Sequence, residues 1–312
     1  MKMVEKPLSA GHVLVVGSFN TDLMMRTAKL PEAGETVLGS MFRMGPGGKG
    51  SNQAIAAARL GAKVRFVGCL GTDTFGDLAQ SVLADEGVDT GFIERSADFH
   101  TGAAMILVNE VTGENWITVV PGANLQLLPD GIDAASESFD GANVLLLQLE
   151  IPLPTVEHTI SLARERGLRV ILNPAPAQAL PDDLLSRIDI LTPNEMELER
   201  LTNLGVDTLS EIEETAKRLL RRGSGAVIVT LGAHGVLRVS SEGARHFPGY
   251  EVEVVDTTGA GDSFNGALAA AIAAGSDLDG AISFANAAAA LSVTRVGTAL
   301  AMPTLSEVRA LL

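Results

Sequence analysis

Short, uninterrupted apolar runs recur along this chain and alternate with segments of helical periodicity. Because the runs are continuous rather than alternating in polarity, each is typical of a strand buried on both faces. The alternation predicts the α/β class, with a doubly wound, mostly parallel central sheet flanked by helices. The predicted strands are Val13–Gly17, Val64–Leu70, Asn143–Leu149, Arg169–Asn173, Ile188–Thr192 and Ala226–Leu231.

Three of the intervening segments carry clear helix signals. Ser51–Leu60 is rich in alanine, and Asp262–Ala274 places apolar side chains on one face at spacings of four. The run Ser210-Glu211-Ile212-Glu213 fits a capping box that opens a helix ending near Gly223. These helices are expected to cover the sheet.

Two stretches lack helix signals and are predicted to form strand pairs. They are Thr36–Met44 and Thr101–Val120, the second with a turn at Gly113. We expect a single domain over residues 1–312, with a small β-sheet lid formed by inserted segments at about 18–44 and 101–120. An isolated strand pair is marginally stable, so the lid should cover a site or pair with another copy, which predicts a homodimer through the lid.

Charge and composition exclude several classes of protein. The 312 residues carry a formal net charge of −15. Binding to a nucleic-acid backbone needs clustered cations, so no nucleic-acid partner is expected. No apolar run approaches the roughly 20 residues of a membrane span. Met1 to Gly11 leads into no signal-peptide apolar stretch. With one cysteine, Cys69, expected to be buried and unreactive, a cytoplasmic protein is predicted. The five histidines are scattered without metal-ligand spacing.

The first glycine cluster is Gly45-Pro46-Gly47-Gly48-Lys49-Gly50. It fits G-x-G-x-x-G formally, but a dinucleotide fingerprint should follow the first strand, which ends at Gly17. It is not a P-loop, because Gly50 stands where Ser or Thr is required. Two readings remain: a flexible turn before a helix, or a backbone that approaches a ligand closely, with Lys49 and Asn52 reaching its polar groups.

A second cluster, Thr230-Leu231-Gly232-Ala233-His234-Gly235, joins a strand to the apolar run Val236–Val239. It fits a hairpin turn and equally a contact with a nucleotide phosphate, made by Thr230 and the Gly232 N–H.

The third cluster lies in Val254–Phe264, where a strand end is predicted to run into a glycine turn and then a helix N-terminus. Successive N–H groups at Gly259, Ala260 and Gly261 would form an anion hole, to which the helix dipole adds. Asp262 follows in the first helical turn, and could simply be an N-cap. A cap does not need glycines at both 259 and 261. A carboxylate beside an anion hole instead favours a base that takes a hydroxyl proton during phosphoryl transfer.

At these residues the chain resembles the PfkB-type carbohydrate kinases, the ribokinase family, over nearly its whole length. Gly48–Gln53 resembles the first signature of that family, and Asp256–Phe264 resembles the second, more specific one. Three further segments resemble the family: Gly17–Asp22, Gln148–Glu150 and Asn173–Pro176.

The resemblance implies ATP-dependent phosphorylation of a pentose, with D-ribose to D-ribose 5-phosphate favoured, and Mg²⁺ and K⁺ as cofactors. It makes Asp262 the catalytic base, with Gly259, Ala260 and Gly261 as the anion hole. The residues implied to bind the sugar are Asn20, Asp22, Gly48, Lys49, Asn52, Glu150 and, from the apolar side of the lid, Ala104, Ile106 and Val119. Those implied along ATP and its Mg²⁺ are Asn194, Glu197, Thr230, Gly232, Gly235, Gly261 and Asn286. Those implied to hold K⁺ are Asp256, Thr258 and the loop Val293–Thr298, including Val296.

Other functions are open at this stage. A related kinase could act on deoxyribose, a ketose or a nucleoside, although aromatic residues total 4% and only Trp116 lies in the predicted lid to stack on a base. A non-catalytic sugar or nucleotide sensor of the same fold should have lost the base or its glycines, and neither is lost here. A dinucleotide oxidoreductase rests on the G-x-G-x-x-G match alone.

Overall fold

A computed structural model describes residues 11–312. Its strands, in chain order, are β1 His12–Val16, β2 Asn20–Thr27, β3 Gly39–Gly47, β4 Lys63–Gly71, β5 Val88–Ser96, β6 Gly102–Asn109, β7 Asn115–Val120, β8 Val144–Leu147, β9 Arg169–Leu172, β10 Ile190–Leu191, β11 Ala226–Thr230, β12 Val236–Ser240 and β13 Gly243–Phe247. Its helices are α1 Lys49–Arg59, α2 Thr74–Asp85, α3 Pro129–Ala134, α4 Leu153–Glu165, α5 Asp182–Leu185, α6 Glu195–Thr202, α7 Leu209–Arg221, α8 Ala260–Ala273, α9 Leu278–Ser292 and α10 Leu305–Leu311.

Most of the strands build one large sheet. Among the described residues, nine strands are ordered β13-β12-β11-β10-β9-β8-β1-β4-β5. All neighbours from β11 to β5 are parallel, whereas β12 and β13 are added antiparallel at one edge. This confirms the predicted mostly parallel central sheet.

The sheet has an apolar core on each face. In β1, Val13 and Val15 belong to one buried cluster, and Leu14 and Val16 belong to the other. The first cluster includes side chains of α1, α8 and α9, and the second includes side chains of α4, α6 and α7. A strand with apolar residues at every position can satisfy both layers, which is why the continuous runs predicted these strands correctly.

Four strands form a separate small sheet, ordered β3-β2-β6-β7. Strands β2 and β6 are parallel, and each also pairs with an antiparallel neighbour. Since side chains alternate between faces, Asp22 and Ile106 point to one face of the small sheet. The opposite, outer face carries exposed Met25, Met105 and Trp116. That this sheet acts as a lid stays a prediction.

Some sequence predictions of local structure are wrong. Helix α7 begins after Thr208, whose hydroxyl accepts from the Glu211 N–H while the Glu211 side chain accepts from the Thr208 N–H. The capping box is therefore two residues earlier than predicted. The strand end predicted directly before Asp256 is absent, because residues 251–254 have no regular structure. The strand predicted from Thr36 begins at Gly39.

Other predictions are settled as follows. Cys69 is buried, as expected, and burial raises the pKa of its thiol to about 11. The prediction for the N-terminal segment falls on residues 1–10, outside the described residues. Along residues 11–312, no helix combines the length and the hydrophobicity needed to cross a bilayer.

Candidate active site

The candidate site lies where β1, β8 and β9 end, at the carboxyl edge of the parallel sheet. The turn after β1 leads into the small sheet at Asn20, and the segment after β8 carries Glu150. Helices α1 and α8 both begin at this edge, which brings Lys49 and Asp262 to the same place.

Helix α8 begins with an uncapped N-terminus. Its N-cap is Gly259 in a left-handed conformation (φ 79°), and among the described residues no side chain accepts a hydrogen bond from the N–H groups of the first turn; the Asn265 amide instead donates to the Gly261 carbonyl at 2.8 Å. The Ala260 N–H bonds weakly to the Thr257 carbonyl at 3.3 Å. The N–H groups of Gly261 and Asp262 are left for a ligand, since the first helical turn has no intrahelical acceptors for them. Of the three N–H groups predicted to form the anion hole, that of Ala260 is thus partly used and that of Gly261 is open, while the open N–H of Asp262 was not in the predicted set. The anion hole itself stays a prediction.

The Asp262 side chain does not cap its helix. Its two carboxylate oxygens accept hydrogen bonds from Asn52 Nδ2 and Gln53 Nε2, both at 2.9 Å. Burial raises the pKa of Asp262 above its usual value, although Lys49 and the two amides oppose the shift. The N-cap alternative is therefore set aside, because the carboxylate faces helix α1 rather than the N–H groups of its own helix.

The close contact of α1 and α8 makes this arrangement possible. A Cβ added to Gly266 would lie 2.5 Å from the Ala56 Cβ and 2.5 Å from the Gln53 carbonyl oxygen. Because only a glycine permits this approach, Asn52 and Gln53 can reach Asp262 directly.

Two predicted sugar ligands lie at the start of β2. The Asn20 Oδ1 accepts from Asn124 Nδ2 at 2.9 Å, and Asn124 is itself bonded to the Phe19 backbone. Asp22 lies against Gly47, where an added Cβ would be within 2.3 Å of all three carboxylate atoms. Burial, followed by the nearby Glu150 carboxylate, raises the pKa of Asp22 to about 7.

Glu150 lies close to both Asp22 and Asp262, and Lys49 lies close to Asp262. The Glu150 carboxylate accepts from the Lys49 backbone N–H at 2.9 Å and from the Ser18 hydroxyl. Burial alone would lower the pKa of the Lys49 ammonium, but the surrounding carboxylates, Asp262 foremost, raise it above its ordinary value. Gly48 adopts φ 90°, and a Cβ there would approach the Asn20 nitrogen to 2.7 Å. The site thus concentrates acidic groups around one ammonium.

A cavity of about 250 Å³ lies between the small sheet and the loops at 255–258 and 296–300. Asp22 and Ile106 are among its lining residues. Ala104 and Val119 pair with each other across β6 and β7 but do not line it. Trp116 pairs with Leu107 on the outer face and is exposed, so it cannot stack on a group inside this cavity.

The predicted nucleotide residues surround the ends of β10 and β11. Asn194 and Glu197 form a capping box at the start of α6, and Asn194 also pairs with Thr230 as an isolated bridge. Gly232 and Gly235 lie in the turn of the β11–β12 hairpin with φ of 54° and 89°. Further along, the Asn286 side chain donates to the Pro248 carbonyl at 2.8 Å. The hairpin reading of residues 230–235 is therefore correct, and it leaves the Gly232 side of the turn open, with no atom within 4 Å of an added Cβ.

Of the residues predicted to hold K⁺, Asp256, Thr258, Val296 and Thr298 line the same cavity. The Asp256 carboxylate accepts from the N–H groups of Thr258 and Gly297, both at 2.9 Å, and Thr298 Oγ1 donates to the Pro46 carbonyl. Burial would raise the pKa of Asp256, but bonds from Thr258 and Gly297 outweigh it and lower the pKa. The Val293 carbonyl already accepts two N–H groups, from residues 255 and 256. Within residues 11–312, no group of three or more His, Cys, Asp or Glu side chains could hold a metal ion.

Several polar residues at the site were not assigned roles from the sequence. Gln53 and Asn173 stand inside motifs already singled out, so their positions were signalled but their contacts were not. Ser18 belongs to the segment Gly17–Asp22 in the same way. Asn124 and Asn265 had no sequence signal, because they act through tertiary contacts: Asn124 with Phe19 and Asn20, and Asn265 with the Thr192 hydroxyl.

Comparison with known proteins gives one consistent result. The model of the pfkB family carbohydrate kinases matches residues 10–305. The ribokinase of Haemophilus influenzae is 42% identical, over 94% of this chain and 95% of the relative. The deoxyribokinase of Salmonella typhi is 38% identical, over 95% and 96%. The solved structure of Arabidopsis thaliana ribokinase complexed with ribose and ATP superimposes with a TM-score of 0.91, at 34% identity, covering 97% of this chain and 98% of that one.

Proposed function

This chain belongs to the pfkB family of carbohydrate kinases, and we propose that it phosphorylates D-ribose with ATP to give D-ribose 5-phosphate. That it is an ATP-dependent sugar kinase follows from the family and from its relatives. The choice of ribose within that class is the proposal. Ribose is favoured because the ribokinase of Haemophilus influenzae is 42% identical to this chain. The observation that carries phosphoryl transfer itself is the buried Asp262 carboxylate beside the open N–H groups of α8.

In the proposed reaction, Asp262 takes the proton from the 5-hydroxyl group as its oxygen attacks the γ-phosphorus of ATP. The bond from the γ-phosphorus to the bridging oxygen breaks, and ADP leaves. The N–H groups of Gly261 and Asp262 hold the negative charge on the transferring phosphoryl oxygens. Lys49 adds a positive charge close to the same place.

The residues proposed to bind the sugar are those whose polar atoms can form hydrogen bonds with its hydroxyl groups. Asp22 offers two acceptors to neighbouring hydroxyl groups. The Asn52 Oδ1 is buried and has no donor within the described chain, which makes it an acceptor for a further hydroxyl. Asn20, Gly48 and Glu150 complete the polar side, and Ile106, with Ala104 and Val119 beside it, gives the apolar side.

The nucleotide is proposed to lie along Thr230, Gly232, Gly235 and Asn286, with Asn194 near its phosphates. Mg²⁺, when bound, would neutralise phosphate charge. Glu197 fits a role in holding the water shell of this ion, because only one of its oxygens is used by the capping box. Burial raises the pKa of Glu197, which makes a nearby cation more favourable for its ionised form.

A K⁺ site is proposed beside the anion hole. The Asp256 carboxylate and the carbonyl groups of Thr258, Val296 and Thr298 offer the hard oxygen atoms that such an ion prefers. Val293 was predicted with them, but its carbonyl oxygen already accepts two N–H groups. The ligand set that fits is therefore the other four residues.

A homodimer through the small sheet is also proposed. The outer face of that sheet exposes Phe42, Met44, Met105, Trp116 and Val120. Contiguous apolar surface of this kind is typical of an interface. A second copy of the same face would cover it by the isologous contact expected for a two-fold dimer.

Deoxyribose is the second candidate substrate, because the deoxyribokinase of Salmonella typhi is 38% identical over 95% of this chain. The deciding experiment assays ADP release with D-ribose, 2-deoxy-D-ribose, D-fructose and adenosine, each with K⁺ and with Na⁺. We expect the highest kcat/KM for D-ribose. A higher value for 2-deoxy-D-ribose would replace the proposal by the second candidate, and binding without turnover for every sugar would favour a sensor.

Asp262→Asn tests the base. It should retain sugar and ATP binding while turnover falls by several orders of magnitude, because an amide cannot accept the hydroxyl proton. Near-normal turnover would contradict the assignment of Asp262.

A further inference from the structure

A chain of buried side-chain amides lies beneath the Asp262 carboxylate. The Gln53 Nε2 donates to Asp262 Oδ1 at 2.9 Å and to Asn173 Oδ1 at 3.1 Å. The Gln53 Oε1 accepts from Gln148 Nε2 at 2.6 Å. Gln53 and Gln148 are fully buried, and they come from helix α1 and the end of β8. Residues from α1, from the end of β8 and from the segment after β9 thus meet around the Gln53 amide, which itself contacts one oxygen of Asp262.

The polarity of this chain is set at the carboxylate. An ionised Asp262 can only accept, so Gln53 must turn its NH₂ group toward it. The Gln53 oxygen then faces Gln148, which must present its own NH₂ group. The Gln148 Oε1 is left buried without a donor among the described residues. The unsatisfied acceptor therefore lies at the end of the amide chain that is farther from Asp262, as the fixed orientations of Gln53 and Gln148 require.

The charged groups around Asp262 act on its ionisation in opposite directions. Lys49 favours the charged form, whereas Glu150 opposes it. Glu197 and Asp22 are also close enough for their charges to interact with that of Asp262. One ammonium faces three other carboxyl groups, and the site is buried. The amide donors from Asn52 and Gln53 therefore add a stabilisation of the carboxylate that the opposed charges do not supply.

Helix packing does not require this polar chain. The contact of α1 with α8 is made by small groups, with Gly266 against Ala56 and the Gln53 backbone carbonyl. An apolar side chain of similar length at position 53 would fill the same space without a desolvated amide. The amide is thus better explained by what it does to Asp262 than by what it does for the core.

We propose that Gln53 is a positioning residue of the reaction: its amide, aligned by Gln148, fixes the plane of the Asp262 carboxylate and keeps that carboxylate ionised. The inference rests on the proposed role of Asp262 as the base. It predicts an effect on the ionisation of the base, which a purely structural residue would not have.

The experiment compares Gln53→Met with the parent enzyme in the pH dependence of kcat at saturating sugar and ATP. A base must be ionised to act, so kcat falls as pH drops through its pKa in the ternary complex. Loss of a hydrogen bond to a charged acceptor should move this acid limb upward by about one to two pH units. The KM for ATP should change less than about threefold, because Gln53 does not face the nucleotide residues.

Thr155→Val is the matched control. The Thr155 hydroxyl is buried and donates to the Leu127 carbonyl at 2.6 Å, away from the site. Its loss should lower the melting temperature and leave the acid limb in place. If Gln53→Met behaves like this control, with lower stability and an unmoved limb, Gln53 is structural and the proposal is overturned.

Gln148→Met is the second variant, for the case that Gln53→Met does not fold. It removes the donor that orients Gln53 without touching Asp262, so a smaller upward shift of the same limb is expected, and an unmoved limb contradicts the proposal. The Asp262→Asn result distinguishes failure of the positioning role of Gln53 from failure of the proposed base. Loss of turnover in Asp262→Asn with an unmoved limb in both glutamine variants rejects the positioning role alone, whereas near-normal turnover in Asp262→Asn rejects the base itself.

Discussion

Replacing Gly261 with alanine should raise the stability of the fold and lower the rate of catalysis. Because the two effects have opposite signs, the substitution tests the anion hole independently of folding. No atom lies within 4 Å of a Cβ built on Gly261, and its φ is outside the left-handed region. It is the second residue of α8, where alanine is the better helix former. The substitution should therefore stabilise the folded protein by about 0.4–1 kcal/mol, by reducing the entropy of the unfolded chain.

Catalysis should respond in the other direction. The added methyl group stands next to the free Gly261 N–H, in space that the protein leaves open and that a phosphoryl oxygen would need. The Gly261 N–H itself is kept in alanine, but a methyl group that keeps the phosphoryl oxygen away from it should cost as much as losing one donor of an anion hole, about 2.7–4 kcal/mol or about 10²–10³ in kcat. We expect kcat to fall by at least about 100-fold, with little change in the sugar KM, since the interaction is made in the transition state.

Thermal unfolding and a coupled ADP-release assay measure both effects on the same preparation. Gly205→Ala is the matched control, because Gly205 is exposed, has no atom within 4 Å of an added Cβ, and lies in the loop after α6. It should leave kcat unchanged. A Gly261→Ala enzyme that melts no lower than the parent and keeps kcat within about threefold would refute the anion hole, since the open space beside Gly261 would then have no role in phosphoryl transfer.

Three further predictions concern the sugar, the cation and the assembly. The sugar KM should rise as pH falls through about 7, because protonated Asp22 loses an acceptor, and Asp22→Asn should flatten that dependence; a pH-independent KM in the parent would move the sugar site elsewhere. K⁺ should raise kcat over Na⁺ in parallel assays, and Asp256→Ala should abolish the difference; equal rates in the parent would remove the cation site. The double variant Met105→Lys with Trp116→Lys should sediment as a monomer with an unchanged fold, because both side chains lie on the exposed apolar face of the small sheet; an unaltered sedimentation coefficient would reject that face as the interface.

The sequence predicted the interior of the fold better than its edges. Strands such as β1 and β8 carry apolar residues at every position, so their pattern is local and needs no partner to be recognised. Strands β5 and β13 contain charged residues and are partly exposed, so no continuous apolar run marks them in the sequence. They were not predicted for that reason.

The start of α7 shows how two local signals can compete. Both Thr208 with Glu211 and Ser210 with Glu213 fit the spacing of a capping box. The structure uses the earlier pair, and Ile212 is then buried in the core. Tertiary packing, rather than the cap itself, decides between the two.

Only part of the candidate site could likewise be predicted from the sequence. The position of Asp262 and its glycines followed from a contiguous motif, and its contact with Asn52 joins two motifs that the resemblance had already paired. The amide chain through Gln53 and Gln148 could not be predicted, because a side-chain hydrogen bond between residues 95 apart depends on the final packing of two elements.

The pairing of β2 with β6 has a consequence for how the chain folds. The two strands are parallel neighbours, beginning with Asn20 beside Gly102, and β4, α2 and β5 lie between them in sequence. Closing a loop of about eighty residues is slow unless the intervening elements are already compact. The small sheet should therefore form after the first βαβ units of the body, so that a newly made chain has its core before it can enclose a substrate. In hydrogen exchange, the amides of β2 and β6 should open at lower free energy than those of β1 and β8.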